Sequence, residues 1–222
     1  MRTDRALIFD FNGTLFWDTL YHRQAWGAMS LRLRGVVLSE AESHYLDGRT
    51  NQQTLAYLLG REIPEDEVVQ LSNEKELLYE SICLSHRPLA LANGAEYLIN
   101  KAKQAGRAVA IATSAGPDNI ERYKKWFNLS DLVPDSLIIH DNGMRRGKPF
   151  PDLYLDACSA LGCVPATCTV FEDTKAGILA AQAAGMGCIY AMKSPGSDIQ
   201  TLQAMEGIHG LLDDFTQFTL DQ

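Results

Sequence analysis

Six polar residues fall where apolar runs stop or in the loops that follow them. Asp10 ends the apolar start of "LIFDFNGTLF" (7–16). Thr113 and Ser114 follow "AVAIA" (108–112), Lys148 sits in "RRGKPFPD" (145–152), and Glu172 and Asp173 end "TCTVFED" (167–173). Brought together, they supply a carboxylate nucleophile, hard oxygen ligands for Mg²⁺, and donors for phosphate oxygens, a set that suits phosphoryl transfer. Taken singly, each has an ordinary reading. Asp10 can form a turn, Thr113 and Ser114 can cap helices, and Glu172-Asp173 can open a helix whose dipole favours acids. Lys148 can be a solvated loop charge. Their order at successive run ends points to a shared site.

The elements that must position them are legible as short apolar runs. Runs at 6–11, 108–113, 136–140, 167–172 and 187–192 predict buried parallel strands. Between them, 93–106, 116–127 and 173–186 carry helix signals, with Pro117 in a first turn and Gly185 at a stop. Strand–helix alternation predicts an α/β fold with a doubly wound parallel sheet. In such sheets, ligands sit at the carboxyl ends of the strands, near the switch point. Residues 11 to 108 break the rhythm. They read as helices at 18–33, 38–46, 50–59 and 65–85, so an all-helical cap inserted after the first strand is expected. The division predicted is a core of 1–16 and 88–222 and a cap of 17–87.

The 222 residues are 46% hydrophobic and 22% charged, an ordinary globular composition, with a net charge of −8. That acidity argues against a nucleic-acid or anionic-membrane partner. No apolar stretch approaches the ~20 residues of a membrane helix, and "MRTDRALIFDF" carries no signal-type pattern. Five cysteines occur, at 83, 158, 163, 168 and 188, with no C-x-x-C pair. The 158/163/168 ladder is not a usual zinc spacing, so buried or reduced thiols in a cytoplasmic protein are expected.

"FDFNGTL", "IATSAG", "GKPFPDLYLDAC" and "FEDTKAGILAAQAAGM" together resemble the four motifs of the haloacid dehalogenase-like hydrolases, in the branch of β-phosphoglucomutase and small-molecule phosphatases. The resemblance spans nearly the whole chain. It implies Asp10 as the nucleophile that becomes an aspartyl-phosphate. It implies Mg²⁺ held by Asp10, the main-chain carbonyl of Asn12 and Asp173, with Glu172 in or beside the shell. Thr113, Lys148 and the Ser114 amide would bind the transferring phosphoryl group of a small phosphorylated metabolite. The cap segment "LDGRTNQQ" (46–53) would face the site, with Arg49 and Asn51 toward substrate, and His22 takes the place of a cap-hinge histidine. Trp26 reads as cap packing. A monomer or small homo-oligomer is expected.

Two departures from the pattern matter. Asn51 stands where mutase-like members carry an arginine for a second phosphate, which argues against a mutase. Asn12 stands where the family carries the aspartate that protonates the leaving oxygen, and an amide does not titrate in that role. General acid–base help is worth roughly 10²–10⁴ in rate. The expectation is a Mg²⁺-dependent phosphohydrolase that is slow on alkyl phosphates. The alternatives are a sugar-phosphate mutase, a catalytically weak phosphate- or metabolite-binding protein, and a dehalogenase. Schiff-base chemistry is disfavoured because the insert's one lysine, Lys75, falls outside 46–53.

Overall fold

The computed structural model describes residues 6–220. The first five residues of the predicted core segment 1–16, where the signal-type pattern was sought, lie outside the described residues, as do the last two of the chain. The chain runs β1 (Ala6–Phe9), α1 (Thr19–Arg34), α2 (Glu40–Leu46), α3 (Asn51–Leu59), α4 (Glu65–Ser85), α5 (Ala95–Gln104), β2 (Ala108–Ala112) and α6 (Pro117–Phe127). It continues with α7 (Leu129–Leu132), β3 (Ile138–Ile139), α8 (Asp152–Leu161), β4 (Cys168–Glu172), α9 (Lys175–Ala183), β5 (Cys188–Met192), α10 (Ile199–Ala204) and β6 (Gly210–Leu212). The strands pair in the order β3-β2-β1-β4-β5-β6, all parallel. This is the doubly wound sheet expected, with β1 at its centre and the order reversing beside it.

β1 is fully buried because both of its faces are covered. Leu7 and Phe9 join one core cluster, while Ala6 and Ile8 join the other. That split is the two-residue alternation of a strand between two helical layers. Phe9 stacks on Phe171 of β4 at 4.8 Å between ring centroids, which fixes the central pair.

The insertion α1–α4 has a small apolar centre of its own in Met29, Leu55 and Leu71. Trp26 packs against that centre, as expected. Helices α2 and α3 both start with a capping box, built on Ser39 with Glu42 and on Thr50 with Gln53.

Several boundaries move. The first strand ends at Phe9 rather than residue 11, because Thr14 and Phe16 both donate back to the Phe11 carbonyl and close a turn. The third is reduced to Ile138–Ile139, since Asp135–Leu137 winds into a 3₁₀ turn after Pro134. The helix read at 173–186 spans Lys175–Ala183, with Thr174 as its cap. Strand β6 and helices α7, α8 and α10 were not expected. β6 is a three-residue edge strand, "GLL", too short to show a period.

Candidate active site

The strand ends bring four of the predicted residues together. Asp10 follows β1 and its amide still bonds the Phe171 carbonyl at 3.0 Å, so it lies beside Glu172, the last residue of β4. Lys148 arrives from the loop between β3 and α8. It is 1% exposed, not the solvated charge of its ordinary reading. Its Nζ donates to Asp10 Oδ1 at 2.5 Å and also to Glu172 Oε1. Asp173 completes the group; oxygens of Asp10, Glu172 and Asp173 lie within 4.8 Å of one another, all buried.

Close packing fixes these positions. Gly13 has φ +77°, and a Cβ there would fall 2.0 Å from Asp173 Oδ2, so the turn after Asp10 needs glycine. Gly177, in the first turn of α9, leaves room for Glu172, whose Cδ would be 1.9 Å from an added Cβ. Glu172 Oε2 accepts from the amides of Asp173 and Thr174 and from the Thr174 hydroxyl. Oε1 is held by Lys148 and by Tyr154 Oη at 2.8 Å. Glu172 therefore serves as both the helix-start acid of its ordinary reading and the anchor of Lys148. Asp173 accepts from Thr14 and Thr19 hydroxyls at 3.3 and 3.5 Å.

The charges explain what this group can hold. Burial pushes Asp10 up to about 7, against the lowering pull of Lys148 and with a further push from Glu172. Burial, then the charges of Glu172 and Asp10, hold Asp173 well above its ordinary value. Burial alone would lower Lys148, but the two carboxylates outweigh it and raise its pKa, so it stays an ammonium. Three buried acids share one lysine, and the raised values of Asp10 and Asp173 mark carboxyls that a further cation would let ionise. Hard oxygens in such a set fit a divalent cation such as Mg²⁺.

Asn12 sits beside this group in a polar ring. Its Nδ2 reaches Asp18 Oδ2 and Tyr123 Oη, each at 2.7 Å, and lies 3.2 Å from His22 Nε2. Its Oδ1 accepts from Thr113 Oγ1 at 3.3 Å. Asp18 is fully buried, accepting from the Gly13 amide at 3.0 Å and from Tyr79 Oη. The ring fixes the amide with its nitrogen toward the acid.

The insertion closes over the strand ends, as the 46–53 segment predicts. Ser114 Oγ donates to the Gly48 carbonyl at 2.9 Å, and Gln53 Nε2 to the Lys148 carbonyl at 3.4 Å. Between the two layers lies a cavity of about 90 Å³, bordered by Asp10, Asn12, His22, Arg49, Asn51 and Lys148 among others. Arg49 also borders it but is drawn toward Tyr45, bonding that residue's carbonyl at 2.9 Å and stacking on its ring.

Two insertion residues set aside or missed in the sequence line the same cavity. Lys75, on α4, is 1% exposed; it bonds His22 Nδ1 at 2.8 Å and Glu76 Oε1 at 2.9 Å. Its place outside 46–53 did not remove it from the cleft, a correction to that part of the reading. Glu76 takes a second bond from Asn51 at 2.8 Å, and its Oε2 is buried with no hydrogen-bond partner among the described residues. Tyr79 and Tyr123 were also missed, since nothing in their spacing sets them apart from their helices. The one available signal was that Lys75 is the insert's single lysine and sits next to Glu76.

This arrangement is that of a known family, and the chain belongs to it: the profile of the haloacid dehalogenase-like hydrolases matches residues 5–185. The chain is 31% identical over 191 residues to validoxylamine A 7′-phosphate phosphatase of Streptomyces hygroscopicus subsp. limoneus, covering 83% of this chain and 84% of that protein. It is 30% identical over 189 residues to protein CbbY of Rhodobacter capsulatus, 82% of each. The crystal structure of a family IA, variant 3 hydrolase from Entamoeba histolytica superposes with a TM-score of 0.85 at 34% identity, over 98% of this chain and 96% of that one. Among the described residues no helix is long and apolar enough to cross a membrane.

Proposed function

We propose that the chain is a Mg²⁺-dependent phosphohydrolase of a small phosphorylated metabolite, with Asp10 as nucleophile and Asn12 in the place of the usual general acid. The observation that carries this is the buried contact of Asp10 with Lys148, beside Glu172 and Asp173, at the carboxyl ends of β1 and β4. The phosphatase among its relatives supports the reaction class. Asp10, the Asn12 carbonyl and Asp173 would hold Mg²⁺, with Glu172 beside them rather than among them, because both its oxygens are engaged. When bound, Mg²⁺ supplies positive charge that offsets repulsion between a carboxylate and an anionic phosphate.

A carboxylate oxygen of Asp10 attacks phosphorus as the bond to the leaving oxygen breaks. Lys148 and Thr113 steady the phosphoryl oxygens. Water then attacks phosphorus in the aspartyl-phosphate and gives a proton to solvent as the bond to Asp10 breaks, which releases phosphate and restores the carboxylate. The leaving oxygen departs without a proton from Asn12, so substrates with stable leaving groups, such as acyl and aryl phosphates, react faster than alkyl esters. Residues 17–87 act as the cap that excludes water over a core of 1–16 and 88–222. Their separate apolar centre supports that division. Five cysteines without a disulfide suit a cytoplasmic setting.

The test is phosphate release with Mg²⁺ from acetyl phosphate, an aryl phosphate and several sugar phosphates. Release on the first two that disappears in Asp10→Asn is expected. Unchanged release in Asp10→Asn would overturn the reading. No turnover of any substrate, with Mg²⁺ still bound, would favour a phosphate- or metabolite-binding protein instead.

A further inference from the structure

The cysteine ladder that resembled no usual zinc spacing folds into a cluster. Cys158 lies on α8, Cys163 in the loop after it, and Cys168 opens β4. Cys168 Sγ is 3.6 Å from Cys158 Sγ and 3.1 Å from Cys163 Sγ. All three sulfurs lie within 4.8 Å of one another. A fourth sulfur, Met186 Sδ, lies 4.0 Å from Cys158 Sγ. None of these cysteines forms a disulfide.

Packing alone is a weak account of that geometry. The 3.1 Å separation is shorter than the ~3.5–4.0 Å at which even carbon atoms rest. Three sulfurs each ~2.3 Å from a common centre in a plane would stand about 4.0 Å apart. The two shorter sides, 3.6 and 3.1 Å, lie a little inside that value, and the third is no longer than 4.8 Å. Cys158, Cys168 and Met186 are buried, and Cys163 is half-buried, so the cluster has one side open to entry.

We propose that Cys158, Cys163 and Cys168, with Met186 beside them, form a binding site for a soft monovalent metal ion of the Cu(I) type. Among the described residues no histidine or carboxylate joins the cluster, so the donor set is sulfur throughout. Thiolate and thioether donors select soft ions, and magnesium or calcium has no oxygen to take there. The site is separate from the acid group. Cys168 and Glu172 stand at opposite ends of β4, four residue steps or roughly 13 Å apart.

Burial, and then the neighbouring Cys168, pushes the Cys163 thiol up to about 11. Without metal, Cys163 and Cys168 therefore hold their protons. Binding exchanges two S–H bonds for two sulfur–metal bonds and releases two protons to solvent; the third thiol and the thioether complete the shell without further charge. No electron is transferred.

The experiment is an anaerobic titration of the whole protein with Cu(I) against a chromophoric Cu(I) chelator such as bathocuproine disulfonate. One Cu(I) per chain is expected to be withdrawn from the chelator. Cys163→Ser should weaken retention by about 10²-fold or more, Met186→Leu by about tenfold or less, and Cys83→Ala, remote on α4, should leave it unchanged. Circular dichroism confirms folding; should Cys168→Ser fail to fold, the half-buried Cys163→Ser carries the test. The proposal is overturned if the chelator keeps all the Cu(I). It is equally overturned if Cys163→Ser and Cys83→Ala have equal effects, or if Zn(II) displaces Cu(I) mole for mole.

Discussion

The two halves of the cavity are built differently. On the core side, one cation answers several acids: Lys148 bonds Asp10 and Glu172, and Asp173 stands close by. That half holds more acids than cations, a donor set suited to a further cation. On the insertion side each acid at the cavity has its own cation, and Arg49 is left over. Lys75 answers Glu76, and Arg23 answers Asp47 at 2.5 Å. The first half is an acid-rich group suited to a cation; the second is a polar surface whose acids are already answered. Asn12 stands at the seam, bonded to residues of both halves.

The sharpest way to break this contrast is Lys148→Met. It leaves Asp10 and Glu172 buried without their shared cation, and removing one partner of a buried ion pair costs about 3–5 kcal/mol. Urea denaturation at pH 7 should register that loss in the absence of Mg²⁺. Added Mg²⁺ should recover part of it, because the same acids would then meet a different cation.

Asn12→Asp tests the seam. The new carboxyl would sit where Asn12 Nδ2 now lies 2.7 Å from Asp18 Oδ2. Two carboxyls at that separation cannot both ionise readily, so one keeps its proton. A held proton is what a leaving oxygen requires. Rates on alkyl phosphates should rise about 10²-fold, with a far smaller gain on acetyl phosphate. Equal gains on both would show that the substitution acts through something other than proton donation.

Glu76→Gln sharpens the insertion side. Burial by itself would raise the Glu76 carboxyl, but the charges of Lys75 and His22 and the bonds from Asn51 and Lys75 bring it down to about 2 from 4.5. A group held below its unfolded value stabilises the fold fully above that value and loses its contribution as pH falls through the folded one. The wild type should therefore lose stability between pH 4.5 and 2 that Glu76→Gln does not lose, on the order of 3 kcal/mol at most. Denaturation midpoints at pH 7 and pH 3 read the difference directly.

Ser114→Ala should have the smallest effect. It removes one polar link between the halves, the bond from Ser114 to the Gly48 carbonyl. A net loss of about 1 kcal/mol in the closed arrangement follows. It should appear as a several-fold rise in KM with kcat nearly unchanged.

The core half was legible because a parallel sheet imposes an order on the chain. Apolar runs of strand length had to lie side by side, and Asp10, Thr113 and Glu172 at their ends had to meet at one edge. Lys148 was legible only by its motif, since nothing in "RRGKPFPD" marks a lysine as buried. The insertion half was far less legible. Lys75, Glu76 and Tyr79 share α4 with many polar residues, and helical period does not say which face of that helix turns to the sheet. Asp18 read as the start of a helix, and it is also the acceptor that orients Asn12. The ladder at 158, 163 and 168 read as buried or reduced thiols, because a helix, a loop and a strand must first be joined before their sulfurs converge.

The sequence by itself determined the sheet, the helical insertion after its first strand, and the identity of the acids at the strand ends. These follow from period, run length and chain order, which are local properties. Only the tertiary structure decided that Glu172 is saturated by its own helix and by Lys148, that Lys75 and Glu76 close the cavity from above, and that four sulfurs gather behind β4. Those are contacts between residues dozens of positions apart or on different elements, and they exist only once helices have chosen which face to bury.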